Sequence, residues 1–422
     1  MDHPAPAGEN PAVSVSRPTT GEADTAHSAH TAGTATAALE EFLAGLDSDA
    51  GRAVAWSEPE RSRDDARHLD EARARGVAAG PLHGLAITVK DWIDVEGFPC
   101  QGIEPRDPPR RPRSDATVVA RLRAAGAVVA AKTLAWGPDD PGTRVRHPDS
   151  PDHAPGGSST GEAVLVARGI SALGIGSDSG GSIRLPAAWC GVHGLKPSAG
   201  LVPVTGHHPP VGPREDGRTQ IGPLARDLDT VEAALRVIAG PDGSDAGVAP
   251  VAVSATTGRM ERFAVVLGER DWSPTDEVVA AVESAAADLE RAGLARVDWD
   301  RPWLEEAMAI TRDYWNRAEL TGERINRHLR RWDRFATTYL EGAREVDLLL
   351  TPTAPHPAPR HRPITAGDFV FTLPASLTGS PALSIPVGRN PEGLPLAVQL
   401  VARPWEDLAL IGAARLIGPD RR

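Results

Sequence analysis

The chain has 422 residues, with 57 acidic against 45 basic side chains and a formal charge of −12. That length supports a large core, a composition 41% apolar and 24% charged argues against wholesale disorder, and an acidic chain with no Lys/Arg-rich stripe is a poor partner for nucleic acid. Two cysteines, Cys100 and Cys190, are too few for a disulfide framework or a four-cysteine zinc site, no apolar run approaches the ~18 residues of a membrane span, and no basic-then-apolar leader opens the chain, so the expected location is the cytoplasm.

Residues 1–33 lack periodic apolar positions and read as a disordered tail, with one large domain expected over 34–422. Helical spacing runs from Ala35 to Leu46 and again around Arg61 to Arg75. The apolar, β-branched run Leu85 to Val89 then reads as a buried strand, followed by a helix over Ala116 to Ala125 and a strand at Ala127 to Ala130. The alternation continues through a helix near Gly161 to Arg168, a strand near Ala172 to Ile175, a helix at Asp227 to Ile238 and a strand at Phe263 to Leu267. Asp276 to Gly293 and most of Trp303 to Ala343 are helical in pattern. Strands follow at Val346 to Leu350 and Leu396 to Val401, before a last helix from Glu406 to Leu416. Strand–helix alternation of this kind predicts an α/β fold with a central mixed sheet covered by helices on both faces.

The densest chemistry lies in residues 155–200, where Gly156-Gly157-Ser158-Ser159 and Gly180-Gly181-Ser182 are separated by one helix and one strand. One Gly-Gly-Ser is ordinary turn material; two of them, the second following an apolar strand, can turn backbone N–H groups toward an anion. Gly157-Ser158-Ser159-Thr160-Gly161 matches the G-x-S-x-G elbow formally, but a proline-broken loop precedes it where that motif needs a strand. A phosphate loop fails for want of Gly-Lys-Ser/Thr, and a dinucleotide fingerprint fails because Ser179 stands at its third glycine. None of the 13 histidines shows metal-ligand spacing, so no metal or cofactor is expected. His147, His153, His207 and His208 read as loop or surface residues, with His83 and His193 packed nearer the site; Trp92, Trp136 and Trp189 are either core or pocket lining. Only Lys90, Lys132 and Lys196 are lysines among the 45 basic residues, so each raises the question of what arginine could not do there.

These motifs resemble the signature of the amidase signature family of serine amidohydrolases, whose pattern runs GGSSGG, then a helix, then GTDxGGSIRxPA and GxKPT. Gly84 to Asp91, Asp347 to Pro352, Leu377 to Gly388 and Gly393 to Val401 are similar to further family landmarks, so the resemblance extends from about Ala35 to the C-terminus. It implies a Ser–cisSer–Lys triad: Ser182 as nucleophile, Ser158 as the bridging serine and Lys90 as base. The N–H groups of Ser179, Gly180, Gly181 and Ser182 would form the oxyanion hole, with Ser159, Asp178 and Arg184 in support. A serine needs an adjacent base, and lysine serves only when neutral, a state arginine does not reach. The implied activity is hydrolysis of a small-molecule amide through an acyl-serine, releasing ammonia or an amine. Acyl or amide transfer from the same intermediate, as in the ammonia-supplying subunit of a tRNA amidotransferase, and a non-catalytic scaffold are the alternatives. Dimers are common among family members. Thr160 stands where the family has glycine, Ser177 and Ser198 where it has threonine; the first is expected to crowd the loop or narrow the pocket.

Overall fold

The computed structural model describes residues 33–46, 50–102, 108–135, 145–213, 216–251, 253, 260–299, 303–360 and 362–418; the expected tail, apart from Gly33, and Trp136 lie outside them. Eleven described strands form one sheet: β1 (Val54–Trp56), β2 (Ala86–Lys90), β3 (Val128–Thr133), β4 (Leu173–Asp178), β5 (His193–Lys196), β6 (Gln220–Ala225), β7 (Arg262–Val265), β8 (Ala295–Val297), β9 (Leu348–Pro352), β10 (Ala382–Arg389) and β11 (Pro395–Ala402). Their order is β1-β3-β2-β4-β6-β5-β10-β11-β9-β7-β8. Pairs β2–β3, β2–β4, β7–β8 and β7–β9 are parallel and the others antiparallel, so the sheet is mixed as expected.

Helices α1 (Ala35–Gly45), α2 (Pro59–Ala74), α3 (Thr117–Ala124), α4 (Thr160–Ala167), α5 (Arg184–Cys190), α6 (Leu228–Ile238), α7 (Asp276–Arg291), α8 (Leu304–Trp315), α9 (Glu323–Gly342), α10 (Leu373–Thr378) and α11 (Asp407–Ala414) cover it. The period-two alternation of a strand explains why both faces need cover. Along β2, Ile87 and Val89 enter a core with Leu122, Leu235 and Leu289 of α3, α6 and α7, whereas Ala86 enters another with Leu39 of α1 and Val164 of α4. A third core gathers Met308, Tyr339 and Leu373 of α8, α9 and α10 around Trp189. Local chemistry sets several ends: Asp227 caps α6 by accepting from Thr230 N at 2.7 Å, and Gly191 closes α5 in the left-handed region at φ 75°.

The site depends on one topological fact. Strands β2 and β4 are adjacent and parallel, with Val89 paired to Ile175, so Lys90 and the end of β4 emerge at the same, C-terminal edge, where α/β sheets bind ligands. The β4 chain then turns through residues 179–182 into α5, and α4 begins immediately after the first serine cluster. Sheet β4–β6–β5 holds this edge together by close backbone approach: a Cβ on Gly222 of β6 would stand 2.1 Å from the Leu195 carbonyl oxygen of β5. Gly222→Ala is therefore expected to destabilise the fold by at least about 1–3 kcal/mol, the usual cost of forcing extra volume into a packed core. A thermal unfolding scan that shows an unchanged midpoint would refute this placement of β5 against β6.

Candidate active site

Lys90 is fully buried, and its Nζ lies 2.6 Å from Ser158 Oγ, 3.1 Å from Ser177 Oγ and 3.3 Å from Ser177 O. Burial pushes its pKa down to about 7 against the opposing pull of Glu162 and Asp178. Neutral lysine has two N–H donors and one lone pair. A carbonyl oxygen can only accept, so Ser177 O and Ser177 Oγ take the two N–H groups and the lone pair is left for the Ser158 hydroxyl. The next link fixes the same polarity: His207 Nδ1 lies 2.9 Å from Pro209 O and must carry the proton, leaving Nε2 to accept from Ser177 Oγ at 3.1 Å. Burial holds the His207 pKa down to about 4, which keeps it neutral and the chain of hydrogen bonds intact. Ser177, next to the end of β4 and standing where the family has threonine, makes these contacts through the hydroxyl it retains.

Ser158 is buried, and the Gly157–Ser158 peptide is cis. Ser182, half-buried, opens on a cavity of about 530 Å³ that also exposes Ser158, Ser177, Ser179 and Gly180. Among the described residues no hydrogen bond joins Ser158 Oγ to Ser182 Oγ; the two serines are linked through Ser159, whose N–H donates to Ser182 O at 3.0 Å. Ser159 is itself fully buried with its hydroxyl 3.4 Å from Ser177 O, so it supports the loop, and the elbow reading that would make it a nucleophile has neither the strand nor the exposure it needs.

Of the four N–H groups expected to meet an oxyanion, that of Gly181 is already donated to Asp178 Oδ1 at 2.7 Å. Ser179, Gly180 and Ser182 remain at the cavity wall. Asp178 also accepts from Ile183 N at 3.2 Å and pairs twice with Arg184, Nε to Oδ2 and Nη2 to Oδ1, both at 2.9 Å. Burial alone would raise the Asp178 pKa, but Arg184 beside it holds it well below the usual carboxylate range. Asp178 and Arg184 are both wholly buried, not a solvated surface pair. Arg184 further donates to Thr372 O, Gln399 Oε1 and Ser376 Oγ, each at 2.8 Å, and Thr372 Oγ1 donates to Gly180 O. The turn that carries Ser182 is thereby fastened to α10 and β11.

Thr160 is buried, donates to Gly156 O at 2.8 Å and lies off the cavity wall, so it ties down the loop and does not narrow the pocket. Trp92 lines the cavity with its ring centroid 4.0 Å from Lys90 Nζ, whereas Trp189 is core, stacked on His356 at 5.9 Å. His207 is a correction in part: read as a loop or surface residue, it does lie on a loop but is buried at the site. His147 and His153 are buried as well, the first with Nε2 2.7 Å from Trp189 O. His83 and His193 do not line the cavity. All three lysines are fully buried; Lys132 donates to Asp91 O at 2.9 Å and Lys196 to Pro197 O at 2.7 Å. The far cavity wall comes from the end of α8, with Tyr314 and Trp315, from Arg317 just beyond it, and from residues 364–369, with Ile364 and Phe369. The Tyr314 ring is covered by Arg218 at 3.5 Å and Arg317 at 4.3 Å.

The family model described as Amidase matches residues 37–319 and 313–411. The chain belongs to the amidase signature family. As a member of it the protein is an amidohydrolase or amidotransferase, with the α/β fold of that family. Among similar proteins, a Glutamyl-tRNA(Gln) amidotransferase subunit of Synechococcus sp. (strain CC9902) is 31% identical over 84% of this chain and 86% of its own length. The same subunit of Thermus thermophilus is 33% identical over 82% and 87%. A crystal structure of an amidase superposes with a TM-score of 0.77 at 28% identity, covering 91% of this chain and 95% of that one.

The ion pair at the Ser182 turn gives a direct test. Arg184→Leu leaves Asp178 buried without its counter-charge, and the expected cost is about 3–5 kcal/mol, read as a large fall in the unfolding midpoint or loss of soluble protein. A variant as stable as the parent would show that the turn is held by something else.

Proposed function

We propose that this amidase signature protein cleaves a carboxamide C–N bond through an acyl-Ser182 intermediate, releasing ammonia or an amine. The observation that carries the reading is the buried Lys90 Nζ at 2.6 Å from Ser158 Oγ, beside a cavity that exposes Ser182. In the acylation step Ser182 Oγ attacks the amide carbon as its proton passes to Ser158 Oγ and the Ser158 proton passes to Lys90. The N–H groups of Ser179, Gly180 and Ser182 receive the carbonyl oxygen as it becomes an oxyanion. Lys90 returns its proton through Ser158 to the departing nitrogen, and water reverses the sequence to free the acid. The hydrogen bond still to be made between the two serine hydroxyls is the contact that substrate has to draw in, as catalytic hydrogen bonds commonly tighten only in the complex.

The substrate is a small molecule on this reading, since the cavity of about 530 Å³ suits a compact ligand. Similar proteins named as amidotransferase subunits keep transfer open as the alternative, and in acyl transfer an amine would replace water at the acyl-enzyme. Product analysis with and without an added amine separates the two.

Incubation with a fluorophosphonate probe followed by intact-mass measurement is expected to add one adduct to the wild type and none to Ser182→Ala. Lys90→Ala is expected to react at least about 100-fold more slowly, the lower range of general-base contributions, while Ser159→Ala keeps its label. Full labelling of Ser182→Ala, or none of a folded wild type, would overturn the proposal.

A further inference from the structure

A proton arriving at Lys90 creates an ammonium in a fully buried site, and such a charge needs a counter-ion. Among the described residues three carboxylates lie near. Asp178 is engaged by Arg184 Nε and Nη2, each at 2.9 Å. Asp91 is 3.4 Å from Lys132 Nζ and accepts from Trp56 Nε1, Gln101 N and Gly102 N, each at 3.0 Å. Glu162 is different. It stands in the first turn of α4, four residues after Ser158, fully buried. Its Oε1 accepts from Thr133 Oγ1, while its Oε2 has no hydrogen-bond partner among the described residues. Thr133 is the register partner of Lys90 across β2 and β3, which places the carboxyl one strand over from the amine. The adjoining strand makes room for it: a Cβ on Gly174 would meet Glu162 Cβ at 2.7 Å.

Resting on the proposed role of Lys90 as base, we propose that Glu162 is a positioning residue that sets the basicity of Lys90, its carboxylate acting as the counter-charge of the ammonium formed when Ser182 loses its proton. Glu162 neither touches substrate nor takes a proton from it. The charged groups on the elements packed around α4 are Arg52 on the turn at 50–53, Lys90 on β2, Lys132 on β3, Asp178 on β4 and Arg184 on α5, with Asp91 and His207 on the loops beyond. Lys132, Asp178 and Arg184 are held in the pairs described, and His207 is neutral through burial. Burial raises the Glu162 pKa while the Thr133 hydroxyl and Lys90 oppose the rise, and Glu162 in turn opposes the fall of Lys90.

Removing the carboxylate removes a stabiliser of the ammonium, so Lys90 becomes less basic and its titration moves to lower pH. The three lysines of the chain allow a readout that needs no substrate: protein labelled with ¹³C at lysine Cε gives three signals, and the one missing from Lys90→Arg is Lys90. In Glu162→Gln, which keeps an acceptor for Thr133, the Lys90 midpoint is expected to fall by about 1–3 pH units, the usual effect of one near charge. Thr133→Val, which weakens the carboxylate without removing it, is expected to move it the same way by less, and it supplies the test should Glu162→Gln fail to fold. The pH at which fluorophosphonate labelling rises is expected to move down in parallel. An unmoved Lys90 midpoint in a folded variant would overturn the assignment and leave Glu162 as a structural residue. A shifted midpoint in a protein that takes up no probe would uphold the Glu162–Lys90 coupling and reject the hydrolase reading alone.

Discussion

The proposed chemistry of this site depends on a lysine whose charge is disfavoured by burial. Lys90 ends a strand buried on both faces, and desolvation there disfavours the ammonium. The hydrogen-bond partners of Lys90 suit that state, against the pull of Glu162 and Asp178: Ser177 accepts its N–H groups, His207 stays neutral to accept in turn, and the lone pair is left for Ser158. An arginine in this position would remain a cation with no proton to accept. In a chain that otherwise uses arginine almost exclusively, a lysine at 90 is the residue choice that the proposed base requires. The other two lysines show that rarity alone is not diagnostic, since Lys132 and Lys196 are equally buried and bind backbone carbonyls away from the cavity.

Around this amine the fold supplies rigidity from a distance in sequence. The bidentate pair of Asp178 and Arg184 fixes the turn that carries Ser182, and the remaining guanidinium donors reach Thr372, Ser376 and Gln399. A buried pair of this kind is weak evidence for stability in itself, because desolvation offsets most of the attraction. What it provides is geometry, since five directed N–H···O bonds from the guanidinium determine where the backbone amides of the turn point. Asp178 also accepts the Gly181 N–H, which leaves three of the four amides in that turn for the proposed oxyanion site.

Much of this was legible in the residues. Glycine and serine clusters bracketing a helix and a strand marked the two loops, and the apolar run ending at Lys90 marked the strand beside them. Strands β5 and β6 carry weak local signals for physical reasons. Residues 220–225 contain an adjacent Gly222 and Pro223, which depress any strand signal, and 193–196 is four residues long. His207 was hidden because nothing local separates a loop histidine from one folded onto Ser177, 30 residues away. Glu162 carried a signal that was available: a charged residue among Ala163, Val164, Leu165 and Val166 on a helix buried all round needs an explanation. Gln399 within the apolar run of β11 was a similar flag. The cavity wall of Tyr314, Trp315 and Arg317 had no local motif, because it is assembled from helices more than 130 residues from Ser182.

The central claim is that Lys90 acts as a free amine near neutral pH, and the pH dependence of the fluorophosphonate labelling rate in the wild type and Lys90→Arg tests it most directly. The account predicts a wild-type rate that rises through one ionisation near pH 7, well under the ~10.4 of an ordinary lysine, and a Lys90→Arg rate that stays low throughout. A wild-type rate that climbs only above about pH 10, or a Lys90→Arg protein that labels as fast as the parent, would contradict it.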